Sequence, residues 1–327
     1  MGGGELTARL LGAGELEAYS KLASEHGCIF DTVKWTGLLE PGLLRFGIYD
    51  SGDNLRGGFC LFEQRRFGLK VLRNPPFTPQ SGPFFEKRAT NPAAKVNEQR
   101  GIVEVMAEQL ARSGAAVTSL GLSLAVSDCL PFYWRGYKVT PHYTYRLHLH
   151  HTAEEILAGM SPERRKNIAK AQRDGLEATE VEGTFELREL ICETFNRQSK
   201  AFPRQTMDKI LASFPPGSNS FAYLTKQGGK PVAGIYVIHD SRTAYYLLGG
   251  YAYEAHHGAG ALAMWRAILK ARELGLEVFD FEGSTIPPIE RYFRGFGGVL
   301  TPVFNVHKAW LPIEMALKLR GRYRNRF

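Results

Sequence analysis

Hydrophobic and polar residues alternate around glycine-containing turns, and this pattern predicts strands that occur in two similar sets. Residues 46–62, FGIYDSGDNLRGGFCLF, read as two apolar segments joined by a turn rich in Gly, Asp and Asn. Residues 221–238, FAYLTKQGGKPVAGIYVI, repeat the pattern with one residue inserted. Alternation on both sides of such a turn indicates a β-hairpin. The sequence therefore predicts one hairpin in each half of the chain.

Two further blocks repeat after each hairpin. Residues 111–123, ARSGAAVTSLGLS, and residues 271–284, ARELGLEVFDFEGS, each read as a helix end, a glycine stop and an alternating strand. Residues 133–141, YWRGYKVTP, and residues 291–302, RYFRGFGGVLTP, then repeat an aromatic-Arg-Gly-aromatic turn before a last strand. Because three ordered blocks recur at a nearly constant offset, we infer an internal duplication.

The duplication predicts two domains, residues 1–150 and residues 151–327. Each domain is expected to be an α/β unit with a mixed sheet: hairpin, further strand, helix, strand and last strand. The segment TYRLHL at residues 144–149 is expected to end the first domain. A helix is expected from Thr152, and a second helix within residues 161–175, SPERRKNIAKAQRDG. Its serine can cap the helix, its proline suits the first turn and its last glycine can close it.

Composition places the chain among soluble globular proteins. The 327 residues are 44% hydrophobic and 23% charged, and this length fits two domains. No apolar run reaches the ~18 residues that a membrane span needs, and the N-terminus lacks a secretory pattern. The four cysteines are far apart and read as reduced thiols, and we expect no metal site. We therefore expect a cytoplasmic protein.

The positive charge is concentrated at the end of the chain. Of the formal net charge of +8, residues 308–327 carry six basic residues and one acidic residue. Apolar residues alternate with these charges in AWLPIEMALKLRGRYRNRF. Such a tail can contact anionic lipid at the inner membrane face, RNA or phosphates, or it can be a solvated chain end.

Three segments resemble the FemABX-type transferases of the wider GNAT acyltransferase superfamily. They are MSPERRKNIAKAQRDG at residues 160–175, HHGAGALAMW at residues 256–265 and FDFEGSTIPPIERYFRGFGG at residues 279–298. The resemblance implies tandem GNAT-like domains that pass an acyl group directly to an amine. The implied donor is acyl-CoA or aminoacyl-tRNA as co-substrate, with no permanently bound cofactor. The implied acceptor is a cell-envelope amine, such as a UDP-linked or lipid-linked peptidoglycan precursor, or a sugar-linked amine.

The phosphate-binding loop of the superfamily is only half present. Gly258 and Gly260 fit the glycines whose backbone amides cradle a pyrophosphate at a helix N-terminus, but Ala255 replaces the usual Gln or Arg. The glycines can also be a turn that packs a helix on a sheet. The incomplete loop and the basic tail leave an alternative from another class, a non-catalytic GNAT-like protein that binds a nucleotide-sugar or RNA.

Differences between the two copies point to catalytic carboxylates. The second copy has Asp280 and Glu282 where the first copy has serine and glycine. Both acids alternate with phenylalanines, so a continuous strand places them on one face of the sheet. A carboxylate there could accept the proton of an incoming amine. The alternative is a solvated or arginine-paired acid.

Other candidate residues are cationic or aromatic. Arg294 matches a basic residue that the family uses to handle the donor, and could stabilise an oxyanion, although Arg135 in the first copy suggests a role in the fold. Arg165 and Lys166 lie on a basic helix face that fits RNA, a phosphate-bearing acceptor or plain solvent. Tyr251 follows two glycines, where GNAT proteins splay their sheet to admit the donor.

The remaining candidates lie early in the chain. Lys34 and Trp35 resemble a family position that contacts the nucleotide part of the acceptor. Together these expectations assign donor and acceptor binding to residues from both halves of the chain.

Overall fold

The computed structural model describes residues 6–197, 202–283 and 285–319. None of the helices in these residues is both long and apolar enough to cross a membrane. The basic residues of the tail beyond Leu319, on which the membrane prediction partly depends, lie outside the described residues.

The chain divides into two compact units. The first spans Met1–His142 together with Pro302–Phe327, and the second is Tyr143–Thr301. The sequence places one boundary near residue 150. The structure differs from that division because the end of the chain belongs to the first unit.

The secondary structure consists of short strands and of helices up to six turns long. In chain order the strands are β1 (Thr7–Leu10), β2 (Leu43–Tyr49), β3 (Leu55–Arg66), β4 (Leu69–Arg73), β5 (Phe84–Phe85), β6 (Val117–Gly121), β7 (Lys138–His148), β8 (Glu177–Glu180), β9 (Ser220–Gln227), β10 (Lys230–His239), β11 (Thr243–Tyr251), β12 (Val278–Asp280) and β13 (Val299–Ala309). The helices are α1 (Leu16–His26), α2 (Val33–Gly37), α3 (Pro92–Arg112), α4 (Leu130–Trp134), α5 (Ala153–Gly159), α6 (Pro162–Arg173), α7 (Phe185–Arg197), α8 (Arg204–Ser213), α9 (Ala259–Glu273), α10 (Pro287–Arg294) and α11 (Leu311–Leu319). Short 3₁₀ turns cover Ala13–Glu15 and Ile29–Asp31.

In the first unit the strands are ordered β1-β2-β3-β4-β6, followed by β13. β4 and β6 pair in parallel, whereas the other neighbours in this order are antiparallel. Ile102, Met106 and Leu110 lie four residues apart on α3 and are buried in the core that this helix forms with the sheet. The predicted hairpin is the pair β2 and β3.

In the second unit the order is β8-β9-β10-β11-β12, followed by β7. β11 and β12 pair in parallel and the other neighbours are antiparallel. Helix α9 is alanine-rich and mostly buried against the sheet, as a helix packed closely on strands requires. The two units therefore share one sequence of strand directions, and the predicted duplication is confirmed in the topology.

Each unit takes its last strand from the other half of the sequence. Arg146, Leu147 and His148 of β7 pair with β12 in the second unit. Residues 305–309 of β13 pair with β6 in the first unit. The sequence expected residues 144–149 to end the first domain. Alternation alone gives a strand but does not specify its partner, and this explains the difference.

The helices expected after residue 150 are present with their caps. The Thr152 hydroxyl accepts a hydrogen bond from the backbone of Glu155 at the start of α5. The Ser161 hydroxyl accepts one from the backbone of Arg164 at the start of α6. Gly175 closes α6 in the left-handed region, with φ of +78°.

Candidate active site

The parallel pair β11 and β12 separates at its carboxyl end. Three residue pairs join the strands, and the last of these is Tyr245 with Asp280. β12 ends there, whereas β11 continues to Tyr251. Ligands of α/β sheets bind at the carboxyl ends of parallel strands. We call the region beyond Tyr245 and Asp280 the strand opening.

Asp280 is buried at the edge of the strand opening and has a full set of partners. Its Oδ1 accepts from the Thr144 hydroxyl at 2.5 Å and from the backbone N–H of Glu282 at 2.9 Å. Its Oδ2 lies 3.3 Å from Nε of Arg146. Burial raises the pKa of Asp280, and these three partners oppose that rise. Asp280 therefore serves to fix the end of β12.

Glu282 lies in a tight turn rather than in the strand. Its φ is +60° and that of Gly283 is +66°, so the chain leaves the extended conformation after Asp280. A Cβ on Gly283 would lie 2.0 Å from the carbonyl oxygen of Tyr143, so only glycine fits there. The alternation predicted from the sequence thus ends at Asp280, and the turn sets the direction of the second acid.

The Glu282 carboxylate has no hydrogen-bond donor among the described residues, and the residue is half-buried. Burial raises the pKa of Glu282 well above its usual range, and the charge of Asp280 adds to the rise. An ionised carboxylate with a raised pKa is a stronger proton acceptor than an ordinary glutamate, and Glu282 has no structural partner that would compete for this role. Of the two predicted carboxylates, Glu282 has the properties of a base.

Arg164, on α6, is the buried cation of the site. Its side chain is 5% exposed and its guanidinium carbon lies 4.4 Å from the ring centre of Tyr292 and 5.3 Å from that of Phe296. Among the described residues no acceptor binds its side-chain nitrogens, and Nε is completely buried.

The basic residues predicted from the sequence lie beside this arginine but face outward. Arg165 and Lys166 are exposed. Nη1 of Arg165 donates to the backbone carbonyls of Ala158 and Met160, and thereby joins α5 to α6. Their contact with a phosphate-bearing substrate stays a prediction.

Three tyrosines beside β11 interact with one another. Tyr246 and Tyr251 belong to β11 and Tyr292 to α10. Burial raises the pKa of Tyr251 and raises those of Tyr246 and Tyr292 well above the usual value, so all three hydroxyls stay protonated. The ring of Tyr251 lies against Gly260, where a Cβ would come within 2.2 Å of it. Tyr251 is therefore placed by this glycine.

The backbone amides at the N-terminus of α9 differ in whether they already have a hydrogen-bond acceptor. The N–H of Gly258 donates to Nδ1 of His256 at 3.1 Å, and that of Ala259 donates to the His256 carbonyl at 2.8 Å. The amides of Gly260 and Ala261 are buried and have no acceptor among the described residues. Helix N-termini attract anions, so the second pair is available to a ligand.

The phosphate-binding loop predicted at Gly258 and Gly260 thus offers fewer available amides than the sequence indicates, because the amide of Gly258 already has an acceptor. A Cβ on Gly258 would lie 2.3 Å from the carbonyl oxygen of Asn167, so this glycine lets α9 approach α6. Packing accounts for Gly258, and anion binding by its amide would require His256 to move.

Arg294 lies at the surface near the strand opening. Its side chain is 61% exposed and Nε lies 3.2 Å from Glu290, which also accepts from the Tyr145 hydroxyl at 2.5 Å. Its counterpart Arg135 is likewise near a glutamate, at 3.7 Å from Glu104. No contact joins Arg294 to the two acids in the described residues, and its role in handling the donor stays a prediction.

Lys34 and Trp35 belong to α2 of the first unit. Trp35 is completely buried, and its indole N–H donates to the Thr78 hydroxyl at 3.0 Å. Its ring packs edge-on against Phe30. Trp35 therefore has a packing role in this structure, whereas Lys34 is exposed and remains a candidate contact.

Sequence reasoning did not single out Arg164, Tyr292 or Thr144. A signal for the arginine was present, because Arg164, Ile168 and Ala171 follow helical spacing and all three are buried. An arginine on the apolar face of a helix indicates a buried cation. Thr144 could not be found in this way, since its contact with Asp280 joins residues 136 positions apart.

Comparisons with known proteins agree with this fold. Residues 162–294 match the family model of the acetyltransferase (GNAT) domain. No curated protein sequence matches the chain.

Solved structures resemble the chain over nearly its whole length. FemX superposes with a TM-score of 0.64 at 13% identity, covering 91% of this chain and 96% of FemX. The C-terminal domain assigned to a lysylphosphatidylglycerol synthetase of Agrobacterium fabrum gives 0.60 at 12%, covering 94% and 95%. A tandem GNAT protein from the clavulanic acid biosynthesis pathway gives 0.53 at 14%, covering 92% and 98%. Such identities show the fold alone. The predicted tandem GNAT-like fold and the resemblance to FemABX-like GNAT acyltransferases are confirmed, and the comparisons support an acyltransferase with its donor open.

Proposed function

We propose that the second unit transfers an acyl group directly from an activated donor to an amine at the strand opening, with Glu282 as the base. The observation that carries the proposal is the state of this carboxylate. Glu282 is half-buried, its pKa is raised, and no described residue donates to its carboxylate. Asp280, two residues earlier, is fully partnered, so the two acids have different roles.

The reaction needs a proton acceptor. An amine attacks the acyl carbonyl with its lone pair, a C–N bond forms, and the ester C–O or thioester C–S bond of the donor breaks with its electron pair. The proton released by the amine passes to Glu282. A raised pKa makes this carboxylate, in its ionised form, a stronger base than an ordinary glutamate. Asp280 helps because it binds the backbone N–H of Glu282 and thereby holds the turn.

The donor is held by groups on β11 and at the N-terminus of α9. The buried amides of Gly260 and Ala261 are suited to a phosphate of the donor. The protonated hydroxyl of Tyr251 can donate to the acyl carbonyl or to the leaving group. Acyl-CoA and aminoacyl-tRNA both carry phosphates. The GNAT match favours an acyl-CoA type of donor, and the sequence resemblance to FemABX-type transferases favours aminoacyl-tRNA.

The acceptor is proposed to be an amine of the cell envelope or one linked to a sugar. The names of FemX and of the lysylphosphatidylglycerol synthetase domain, whose folds this chain shares, are the basis for a peptidoglycan precursor or a lipid. Exposed Arg165, Lys166 and Arg294 of the second unit provide positive charge for its phosphates.

Helix α11 is proposed as a peripheral membrane contact. Trp310, Leu311 and Met315 are 52%, 71% and 55% exposed, and the basic tail follows directly in the sequence. Exposed apolar residues next to basic ones bind anionic bilayers. Such a contact would suit a lipid-linked acceptor.

A turnover assay with labelled donors tests the function. The full chain is incubated with labelled acetyl-CoA or, separately, with charged tRNA, together with a panel of amines. We expect transfer from one donor, and about a hundredfold or greater loss in Glu282→Gln. The matched control is Glu277→Gln, which makes the same chemical change at an exposed position three residues before β12 ends.

Two outcomes would contradict the proposal. Equal turnover by Glu282→Gln and wild type would remove the carboxylate from the chemistry. Donor binding without turnover for every amine would instead support the alternative, a non-catalytic protein that binds a nucleotide-sugar or RNA.

A further inference from the structure

Arg164 is a buried cation without an anion. Its side chain is 5% exposed, and no carboxylate or other acceptor among the described residues binds its nitrogens. Buried charges in proteins are normally paired, because removing an ion from water is costly. Arg45 and Arg146, whose side chains are mostly shielded, each have an acid within 4.0 Å. Arg164 has no such acid among the described residues, and its burial needs an explanation.

Its aromatic neighbours do not supply the missing acceptors. The rings of Tyr292 and Phe296 lie near the guanidinium at 4.4 and 5.3 Å. A cation–π contact uses the face of a ring, whereas the N–H groups of a guanidinium point outward in its own plane and need oxygen acceptors. The aromatic contacts hold the arginine in place and leave its donors available.

Two tyrosine hydroxyls near Arg164 can also act as donors. Burial keeps the hydroxyls of Tyr251 and Tyr292 protonated, and the charge of Arg164 acts on both of them. Tyr251 in turn lies on Gly260, whose buried amide lacks an acceptor among the described residues. A guanidinium, two phenols and a helix N-terminus thus adjoin one another, and the described residues place no carboxylate among them. Such a set of donors is complementary to an oxyanion.

We propose that Arg164, with Tyr251 and Tyr292, binds an oxyanion carried by one of the substrates. The inference rests on the proposed function, since it assigns a substrate feature to the same site. The anion is either a phosphate of the acyl donor or a carboxylate, as in an amino acid. Both present two oxygens to the planar fork of an arginine. Tyr251 and Tyr292 are half-buried residues, so we expect the anion to enter from their side.

Direct binding of simple anions tests this subsite without turnover. The full-length protein is titrated calorimetrically with inorganic pyrophosphate, inorganic phosphate and acetate at constant ionic strength. We expect saturable binding of one class, which identifies the source as phosphate or carboxylate. Arg164→Met should weaken that binding about 10- to 100-fold, the effect of losing one or two charge-assisted hydrogen bonds. Arg164→Lys keeps the positive charge but not the planar fork of the guanidinium. Its affinity for the anion should lie between those of wild type and Arg164→Met.

The matched control is Arg266→Met, which removes an exposed arginine from α9 and should bind like wild type. Tyr292→Phe is the second test should Arg164→Met fail to fold, and we expect it to weaken binding about three- to tenfold. Absence of saturable binding to the wild type, or equal binding by folded Arg164→Met or Tyr292→Phe, would overturn the proposal.

The result is separable from that of the catalytic proposal. Glu282→Gln is expected to bind the anion like wild type and to lose turnover. Anion binding that depends on Arg164 in a protein without transferase activity would leave the subsite standing and remove the catalytic role. Turnover that needs Glu282 but not Arg164 would leave the catalytic role standing and remove the subsite.

Discussion

The two units end their parallel strand pair in different ways, although their strands follow the same order. In the first unit the end of β6 is closed: the Gly121 N–H donates to Asn74 Oδ1 at 2.7 Å, and Asn74 Nδ2 donates to the Thr78 carbonyl at 3.1 Å. The carbonyl of Pro79 approaches so closely that a Cβ on Gly121 would lie 2.4 Å from it. In the second unit the matching end carries Asp280 and Glu282, and the Glu282 carboxylate has no hydrogen-bond donor among the described residues.

The helices that precede these strands differ in the same sense. Helix α3 begins with a proline, and the Asn91 side chain accepts from the Ala94 N–H at 2.9 Å. Helix α9 has no side-chain cap, and its amides at Gly260 and Ala261 lack acceptors among the described residues. At the strand end and the helix start the first unit supplies side-chain partners from Asn74 and Asn91, whereas the second leaves the amides of Gly260 and Ala261 and the Glu282 carboxylate without partners among the described residues. Unsatisfied groups at equivalent positions distinguish the unit with the site from its structural counterpart.

The largest difference is expected between substitutions at the two strand ends. Glu282→Gln should reduce turnover about a hundredfold or more while the fold is kept, because only a proton acceptor is lost. Asn74→Ala should leave turnover of the folded protein unchanged and lower the free energy of unfolding by about 1–3 kcal/mol, because Gly121 and Thr78 lose partners. Steady-state kinetics and urea unfolding measure the two effects.

A loss of turnover in Asn74→Ala at temperatures where it is folded would break the comparison. The first unit would then take part in the chemistry.

Alanine at the two close-packed glycines sharpens the comparison. Gly121→Ala should destabilise the protein by about 1–3 kcal/mol, since its methyl group meets a backbone oxygen that cannot move easily. Gly260→Ala pushes against the ring of Tyr251, and should raise KM for the donor about tenfold with less effect on kcat. Kinetics with the donor varied, together with thermal unfolding, separate the two. An unchanged KM in Gly260→Ala would argue against a donor site beside Tyr251.

The raised pKa of Glu282 predicts a pH-dependent gain of stability in its glutamine variant. The folded protein holds this proton more tightly than the unfolded chain, so stability falls as pH rises from about 4.3 through the higher folded-state pKa. Glu282→Gln has no carboxylate to ionise at this position, so it does not lose stability over this pH range. Its Tm should match wild type near pH 4.5 and exceed it by about 2 °C at pH 8.

The control for this comparison is Glu277→Gln, whose Tm should follow wild type at both pH values. A Glu282→Gln variant less stable than wild type at pH 8 would mean that the carboxylate has a structural partner.

The smallest effect is expected at α11. Leu311→Ser with Met315→Ser should weaken binding to phosphatidylglycerol vesicles about tenfold, because both exposed side chains lose apolar contact with the bilayer. Phe185→Ser, which removes an exposed apolar residue elsewhere, is the control. Vesicle sedimentation measures both, and equal binding by all three proteins would end the membrane proposal.

The fold was largely predictable because its signals are local. The hairpins at residues 46–62 and 221–238 and the capped helix α6 follow from alternation, turn glycines and capping residues. The exchange of β7 and β13 was not predictable, because a strand pattern does not specify its partner.

The site was predictable only in part. The contrast between the copies led to Asp280 and Glu282. It did not show that Asp280 has partners and that Glu282 has none among the described residues, because this depends on Thr144, Arg146 and the turn at Gly283. The unpaired state of Arg164 follows from which side chains surround it, and a single sequence does not contain that information.

The pH dependence of acyl transfer by wild type and Glu282→Gln tests the central claim most directly. For wild type, kcat/KM should fall as pH decreases through an apparent pKa well above the usual glutamate value, because protonation removes the base. The remaining activity of Glu282→Gln should lack this step. The same acid limb in both proteins, or a wild-type rate independent of pH in this range, would contradict the account.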